Sequence, residues 1–207
     1  MSENPTMVRL WFMDWHGRVL SHDPIKDYFS PAPFQPGIYP GLSALVPSPL
    51  KLPCDVTLEK RVSMPRLLPE LEMRETPQGF VCLVNKKHNT YLISAPVPAQ
   101  GSVLTNSTNL GEWEQLLIIQ EDFMRGLSTL MVPNAATLID TQNDQALSPL
   151  QLRPGFVGES NGKRLPLKKN TPAIEELGRL PAGHKAEITF HEDGKEQPLI
   201  IRVQRPG

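Results

Sequence analysis

Five histidines (His16, His22, His88, His184, His191) and two cysteines (Cys54, Cys82) are the side chains of this 207-residue chain suited to acid–base, nucleophilic or metal chemistry near neutral pH. Their spacing is unhelpful for any of the three. Neither cysteine belongs to a CxxC or a Cys/His cluster, so no zinc site is expected. Asp14 with His16, or His22 with Asp23, offers two metal ligands, but the sequence places no third beside either pair. Cys82 lies in the apolar run FVCLV and reads as a buried small hydrophobe. Cys54 follows Pro53; it is a candidate nucleophile only if exposed beside a basic group. A disulfide between the two stays open. The tripeptide Gly158-Glu159-Ser160 lacks the closing glycine of G-x-S-x-G and precedes a turn rather than a helix. No P-loop and no GxGxxG is present. His16 and His88 read as turn residues. The carboxylate pairs Glu112/Glu114 and Glu175/Glu176 are expected on solvated faces. The expectation is a protein that is not an enzyme and uses no cofactor and no metal.

Binding chemistry is the alternative. Trp11, Trp15 and Trp113 could form an aromatic platform for a sugar or peptide if exposed together; otherwise they are core. The formal net charge of −1 gives no basic face for a nucleic acid. The longest apolar runs, such as Leu116–Ile119, are too short to span a bilayer, so no membrane insertion is expected. The N-terminal stretch MSENPTMVRLWF has no basic region ahead of a long apolar core. The expected location is cytoplasmic, or periplasmic if a leader has been removed.

These residues must be positioned by a mostly β chain. MVRLWFMDW (7–15) is rich in aromatic and apolar residues and reads as a strand, with a turn at His16-Gly17 and RVLS returning. Residues 30–53 hold many of the 22 prolines, which cannot donate to a ladder, so they read as a loop or extended arm. Such an arm could be a PxxP-type ligand, but Phe34, Ile38 and Tyr39 suggest packing onto its own protein. DVTLEKRV, ELEMRE, GFVCLVN, TYLISA and SVLTN read as further strands, with KKHN a turn. LGEWEQLLIIQEDFMRG (110–126) has both strand and helix character; it reads as a strand over LLII followed by a turn or short helix ending near Gly126. GLSTLMV and AATLIDT are apolar runs separated by Pro133-Asn134. Asn161-Gly162 marks a tight turn. Thr171 and Pro172 start a helix that Gly178 or Gly183 can end. LPAGHKAEITFHEDGKEQPLIIRV is a hairpin across Asp193-Gly194. The fold class is mainly β with short helices (α+β). The domains are 1–121, β-rich with the arm at 30–53, and 122–207.

From about residue 123 the pieces follow an order of their own: two strands, Ser148-Pro149, Leu152-Arg153-Pro154-Gly155, Asn161-Gly162-Lys163, the helix from Thr171, Pro181-Ala182-Gly183, and Glu192-Asp193-Gly194-Lys195. In order and spacing they resemble a PDZ domain in the circularly permuted form of bacterial HtrA-type proteases and secretion proteins. The resemblance implies a groove between a strand and the helix that takes an extended peptide as an added strand. Its carboxylate loop would be Arg125, Gly126, Leu127 and Ser128. Its groove strand would be Thr129, Leu130, Met131 and Val132. The helix would face the peptide with Ala173, Glu176 or Leu177. The chain departs from the pattern at Phe156, where an acidic residue usually follows the glycine, and RGLST replaces a glycine–aromatic motif. A packing module with a closed groove is the alternative.

The stretch from Gly79 to Ile119, with its YL and GEWE, is similar to one lobe of a fascin-like β-trefoil. VRLWFMDWHGRVLS could be a first lobe and LSTLMVPNAATLID a third, although the PDZ reading uses the latter. A small β-domain before a PDZ domain is also similar to that of type II secretion periplasmic subunits. The resemblances imply a non-enzymatic scaffold that binds a peptide or protein partner, within a secretion or proteolytic assembly; the alternative is a carbohydrate-binding, lectin-like protein. Neither says anything of the oligomeric state.

Overall fold

The computed structural model describes residues 6–23, 28–60, 70–96, 104–153, 155–160 and 163–207. The chain is mainly β with two short helices. It divides into two units, Met1–Pro33 with Tyr39–Gln120, and Phe34–Ile38 with Glu121–Gly207. The expected turn at Asn161-Gly162 lies outside the described residues, as do Pro154, Arg61 and the start of SVLTN.

Among the described residues the first unit has ten strands: β1 (Met7–Asp14), β2 (Arg18–Asp23), β3 (Tyr28–Pro33), β4 (Leu42–Pro47), β5 (Cys54–Lys60), β6 (Leu71–Glu75), β7 (Val81–Asn85), β8 (Thr90–Ile93), β9 (Leu104–Ser107) and β10 (Leu116–Ile119). Six of them close a ring in the order β1-β4-β5-β6-β7-β10, because β10 pairs both with β7 and with β1 (Trp11↔Ile119 to Asp14↔Leu116). The strands β2–β3 lie between β1 and β4 in sequence, and β8–β9 between β7 and β10; each pair is a hairpin off the ring. Closure satisfies every ring edge.

Alternation explains the core. Leu10 and Phe12, Leu42, Ala44 and Val46, Val56 and Leu58, Leu71 and Met73, Val81 and Leu83 recur at every second position. With Leu116, and with Leu20 and Leu92 from the hairpins, they form one buried cluster. The proline-rich segment is more structured than expected. Ser30 to Pro33 belong to β3, and β4 is a ring strand. Within the strands of this segment, prolines occur only in the edge strand β3 and at the last residue of β4, while LSALV carries the ladder donors.

Asp14 is a buried charged group of this unit, as is Glu114. The Asp14 carboxylate accepts from Arg18 Nε (2.8 Å), Ser94 Oγ (2.7 Å) and the main-chain N–H groups of His16 and Arg18. Arg18 continues to the carbonyls of Ala95 and Pro96. The first hairpin is thereby tied to the segment after β8.

The second unit holds α1 (Glu121–Met131), β11 (Thr137–Asp140), β12 (Gln145–Ala146), β13 (Leu152–Arg153), β14 (Phe156–Ser160), β15 (Lys163–Pro166), α2 (Thr171–Arg179), β16 (Lys185–Phe190) and β17 (Leu199–Gln204). One sheet runs β12-β11-β17-β16 and another β13-β14-β15. The expected final hairpin pairs Lys185↔Gln204 through Phe190↔Leu199, with Gly194 (φ +68) in the longer connection.

α1 is the main departure. Residues 127–131, expected as loop and strand, are helical. Phe123, Met124, Leu127 and Leu130 form one buried stripe, and Glu121 and Asp122 favour the helix start. Gly126 and Gly178, expected as helix ends, instead lie inside the two helices where these cross. A Cβ on Gly126 would stand 1.9 Å from the Ile174 carbonyl oxygen, and one on Gly178 would stand 1.7 Å from that of Asp122. α2 is preceded by Asn170 as N-cap, one residue before the expected Thr171. The Asn170 side chain serves elsewhere. Its Oδ1 accepts from His191 N (2.6 Å), and its Nδ2 donates to the carbonyls of His191 and Pro166.

Candidate binding site

The residues assigned to a peptide groove are dispersed by α1. Arg125 is exposed and paired with Glu121; Gly126, Leu127 and Leu130 are buried; Ser128 and Met131 are half-buried. A helix has spent its main-chain donors internally, so Thr129–Val132 cannot accept an added strand as proposed. On α2, Leu177 is buried, Ala173 half-buried and Glu176 exposed. α2 packs closely against α1 at Ile174 and Gly178.

Three of the residues, Thr129, Leu130 and Val132, do meet at a different feature. They line an open hollow of about 210 Å³ with Pro133, Asn134, Ala136, Thr137, Leu138, Ala146, Leu147 and Pro149. The hollow sits between the last turn of α1 and the β11–β12 hairpin. Its walls are held by main-chain bonds: Leu150 N–H donates to the Leu130 carbonyl (2.8 Å) and Leu147 N–H to that of Leu138 (2.8 Å). Arg205 Nη2 donates to Thr129 Oγ1 (2.5 Å), and its Nη1 to the Leu180 carbonyl (2.7 Å), which fixes the end of α1 from β17. The aliphatic side chains of Leu130, Val132, Leu138 and Leu147 are part of the lining, but more of its exposed surface is polar than apolar. The strand β12 on its rim ends its sheet, with no further strand paired to it among the described residues. The turn pair Pro133-Asn134, where Asn134 takes φ +62, and Ser148-Pro149 were the sequence signals for this rim.

A second hollow, of about 460 Å³, is polar. It is lined by Gln142, Lys163, Glu192, Gly194, Lys195, Glu196 and Gln197. Lys163 Nζ lies 3.3 Å from buried Asp140 and 3.8 Å from Glu192. Burial alone would raise the Asp140 carboxyl. The Gln142 N–H, the Lys163 ammonium and the Asn143 amide outweigh it and hold the group below the usual aspartate value.

The other candidate chemistry is not assembled. Both cysteines are free; Cys54 is half-buried and Cys82 buried. Burial first, then the charges of Asp55 and Glu72, push the Cys54 thiol up, the opposite of nucleophile activation. Asp14, a possible metal ligand, is committed to Arg18 and Ser94. Among the described residues no three His, Cys, Asp or Glu side chains converge on a metal position. Glu114, expected on a solvated face, is buried and accepts from Gly111 N–H (2.7 Å). The tryptophans form no common platform. Trp11 is buried and stacks on Tyr39 (5.2 Å), Trp15 meets Phe80 edge-on (5.6 Å), and Trp113 is exposed beside exposed Leu110 in the turn before β10. Among the described residues no helix is long and apolar enough to cross a membrane.

No protein-family model matches the chain, and no curated protein matches it. Among solved structures, one described as "SeviL bound to asialo-GM1 saccharide" is similar at 17% identity, over 56% of this chain and 98% of that one, with a TM-score of 0.33.

Proposed function

We propose that the protein is a non-enzymatic interaction protein whose second unit holds an extended peptide or protein partner. The observation that carries this reading is the hollow at the end of α1, open beside the edge of β12 that no further strand pairs among the described residues. A partner strand would add along that edge and place one aliphatic or aromatic side chain against Leu130, Val132, Leu138 and Leu147. The order of elements from β11 to β17 supports a PDZ-like module, with the recognition place moved from α1 to this rim. The test is amide chemical-shift mapping of the full chain with peptides selected from a phage-displayed library. Shifts clustering on residues 130–138 and 145–149, with affinity reduced at least tenfold by Ala146→Glu at the exposed rim, are expected. Selected peptides that shift only other residues, or a library that yields none, would refute it.

A second reading is favoured by the connectivity of the first unit. A six-stranded ring with hairpins between its first and second and its fifth and sixth members supports a β-trefoil, with lobes 7–47, 54–75 and 81–119. In that reading the unit binds carbohydrate, and Trp113 is its exposed aromatic face. A glycan array on the full chain decides it: retention lost on Trp113→Ala supports the reading, and no retained glycan removes it.

A further inference from the structure

A short piece of the proline-rich arm belongs to the second unit. Phe34–Ile38 groups there, although both flanking segments belong to the first. It has the form of a ligand. Gln35, Pro36, Gly37 and Ile38 make a β-turn closed by Ile38 N–H to the Gln35 carbonyl (3.0 Å). Proline at the second position and Gly37 at φ +76 in the third define type II. Phe34, just before the turn, is buried, and Gly37 N–H donates to Ser128 Oγ on α1 (3.2 Å). The segment is thus a preformed turn with one aromatic anchor and one main-chain bond, features typical of recognition motifs rather than of sheet or helix.

We propose that the α1 surface around Ser128 is a binding site for a Phe-x-Pro-Gly turn, occupied in this chain by its own residues 34–38 as a displaceable strap. The outside ligand is a protein segment with the same chemistry: an aromatic residue, then Pro-Gly two positions on. The strap competes with it through its high effective concentration, so the intact chain binds such a segment poorly. This surface is separate from the hollow beside β12 and goes beyond the proposal made for it.

The probe is a fluorescein-labelled peptide of residues 31–40, titrated into the full chain by polarisation. Phe34→Ala removes the anchor but leaves a buried gap, so Gly37→Val is the main variant. At Gly37 an added Cβ meets nothing within 4 Å, and the cost falls on the positive φ alone. The strap is weakened while the peptide keeps its native glycine. The labelled peptide is expected to bind Gly37→Val at least tenfold more tightly than the parent, and adding Ser128→Ala is expected to take several-fold of that gain away. Equal binding to parent and variant, or no binding to either, overturns the proposal, as does a gain that Ser128→Ala leaves intact. A Gly37→Val dimer that the peptide dissociates would put a second copy of the chain in the site and overturn the assignment to a different partner.

Discussion

The two units solve the same packing problem with opposite means. In the first, side chains do the work: alternate residues of six strands fill a ring, and the buried Asp14 carboxylate is matched by Arg18, Ser94 and two main-chain N–H groups. In the second, two helices meet backbone to backbone, because Gly126 and Gly178 remove the side chains that would keep them apart. The first arrangement tolerates a change of side-chain volume at many positions and fails at its buried charge. The second fails at a single added methyl.

The comparison is broken most severely by Asp14→Ala. It leaves Arg18, whose side chain is 18% exposed, without its partner, and is expected to cost about 3–5 kcal/mol, read by denaturant unfolding of the Trp signal. Gly178→Ala comes next. Its methyl would stand 1.7 Å from the Asp122 carbonyl oxygen, and the helices must separate at about 3 kcal/mol. Amide shifts of 121–207 are expected to move while those of the ring stay. Asn170→Ala follows, at about 1–3 kcal/mol, since it strands the His191 N–H and carbonyl. Faster hydrogen exchange at His191 is its signature.

How much of this contrast was visible in the sequence depends on which contacts define each unit. Five of the six ring strands were legible as local apolar or alternating runs, from MVRLWFMD to LLII. The ring itself was not: the pairing of Trp11 with Ile119 depends on residues far apart in the chain. β4 was hidden by the prolines on either side of LSALV. α1 was hidden by Gly126, which reads as a helix end unless the partner helix is known; the nearby Ile174 carbonyl, which leaves no room for a Cβ, explains the glycine there. The predicted groove failed for that reason, while the rim turn at Pro133-Asn134 was readable as a turn.

A finer prediction concerns pH within the second unit. Asp140 is held below its unfolded value, so the unfolded chain takes up the proton more readily. Its contribution is complete above about pH 4, the unfolded aspartate value, and is lost as pH falls through the folded one. Glu175 has the opposite sign. Burial, the largest influence, and Asp122 raise it against the pull of Arg179. Its contribution is present below the unfolded glutamate value and is lost as pH rises through the folded one. Carboxyl carbon titrations are expected to place Asp140 low and Glu175 high, and Lys163→Met to move only the first. The smallest effect belongs to the exposed Arg9–Glu59 pair, 3.2 Å apart; Arg9→Ala is expected to change stability by less than about 1 kcal/mol.

Ring closure through β10 also sets an order on biosynthesis. A ribosome delivers Leu116–Ile119 long after Trp11–Asp14, yet these segments complete each other's hydrogen bonds. Until the later one emerges, the nascent chain carries the apolar stretch Trp11, Phe12 and Met13 without its final neighbour. Long-range closure of this kind is slow, and the interval is when a chaperone, or another nascent strand, has its best opportunity to bind.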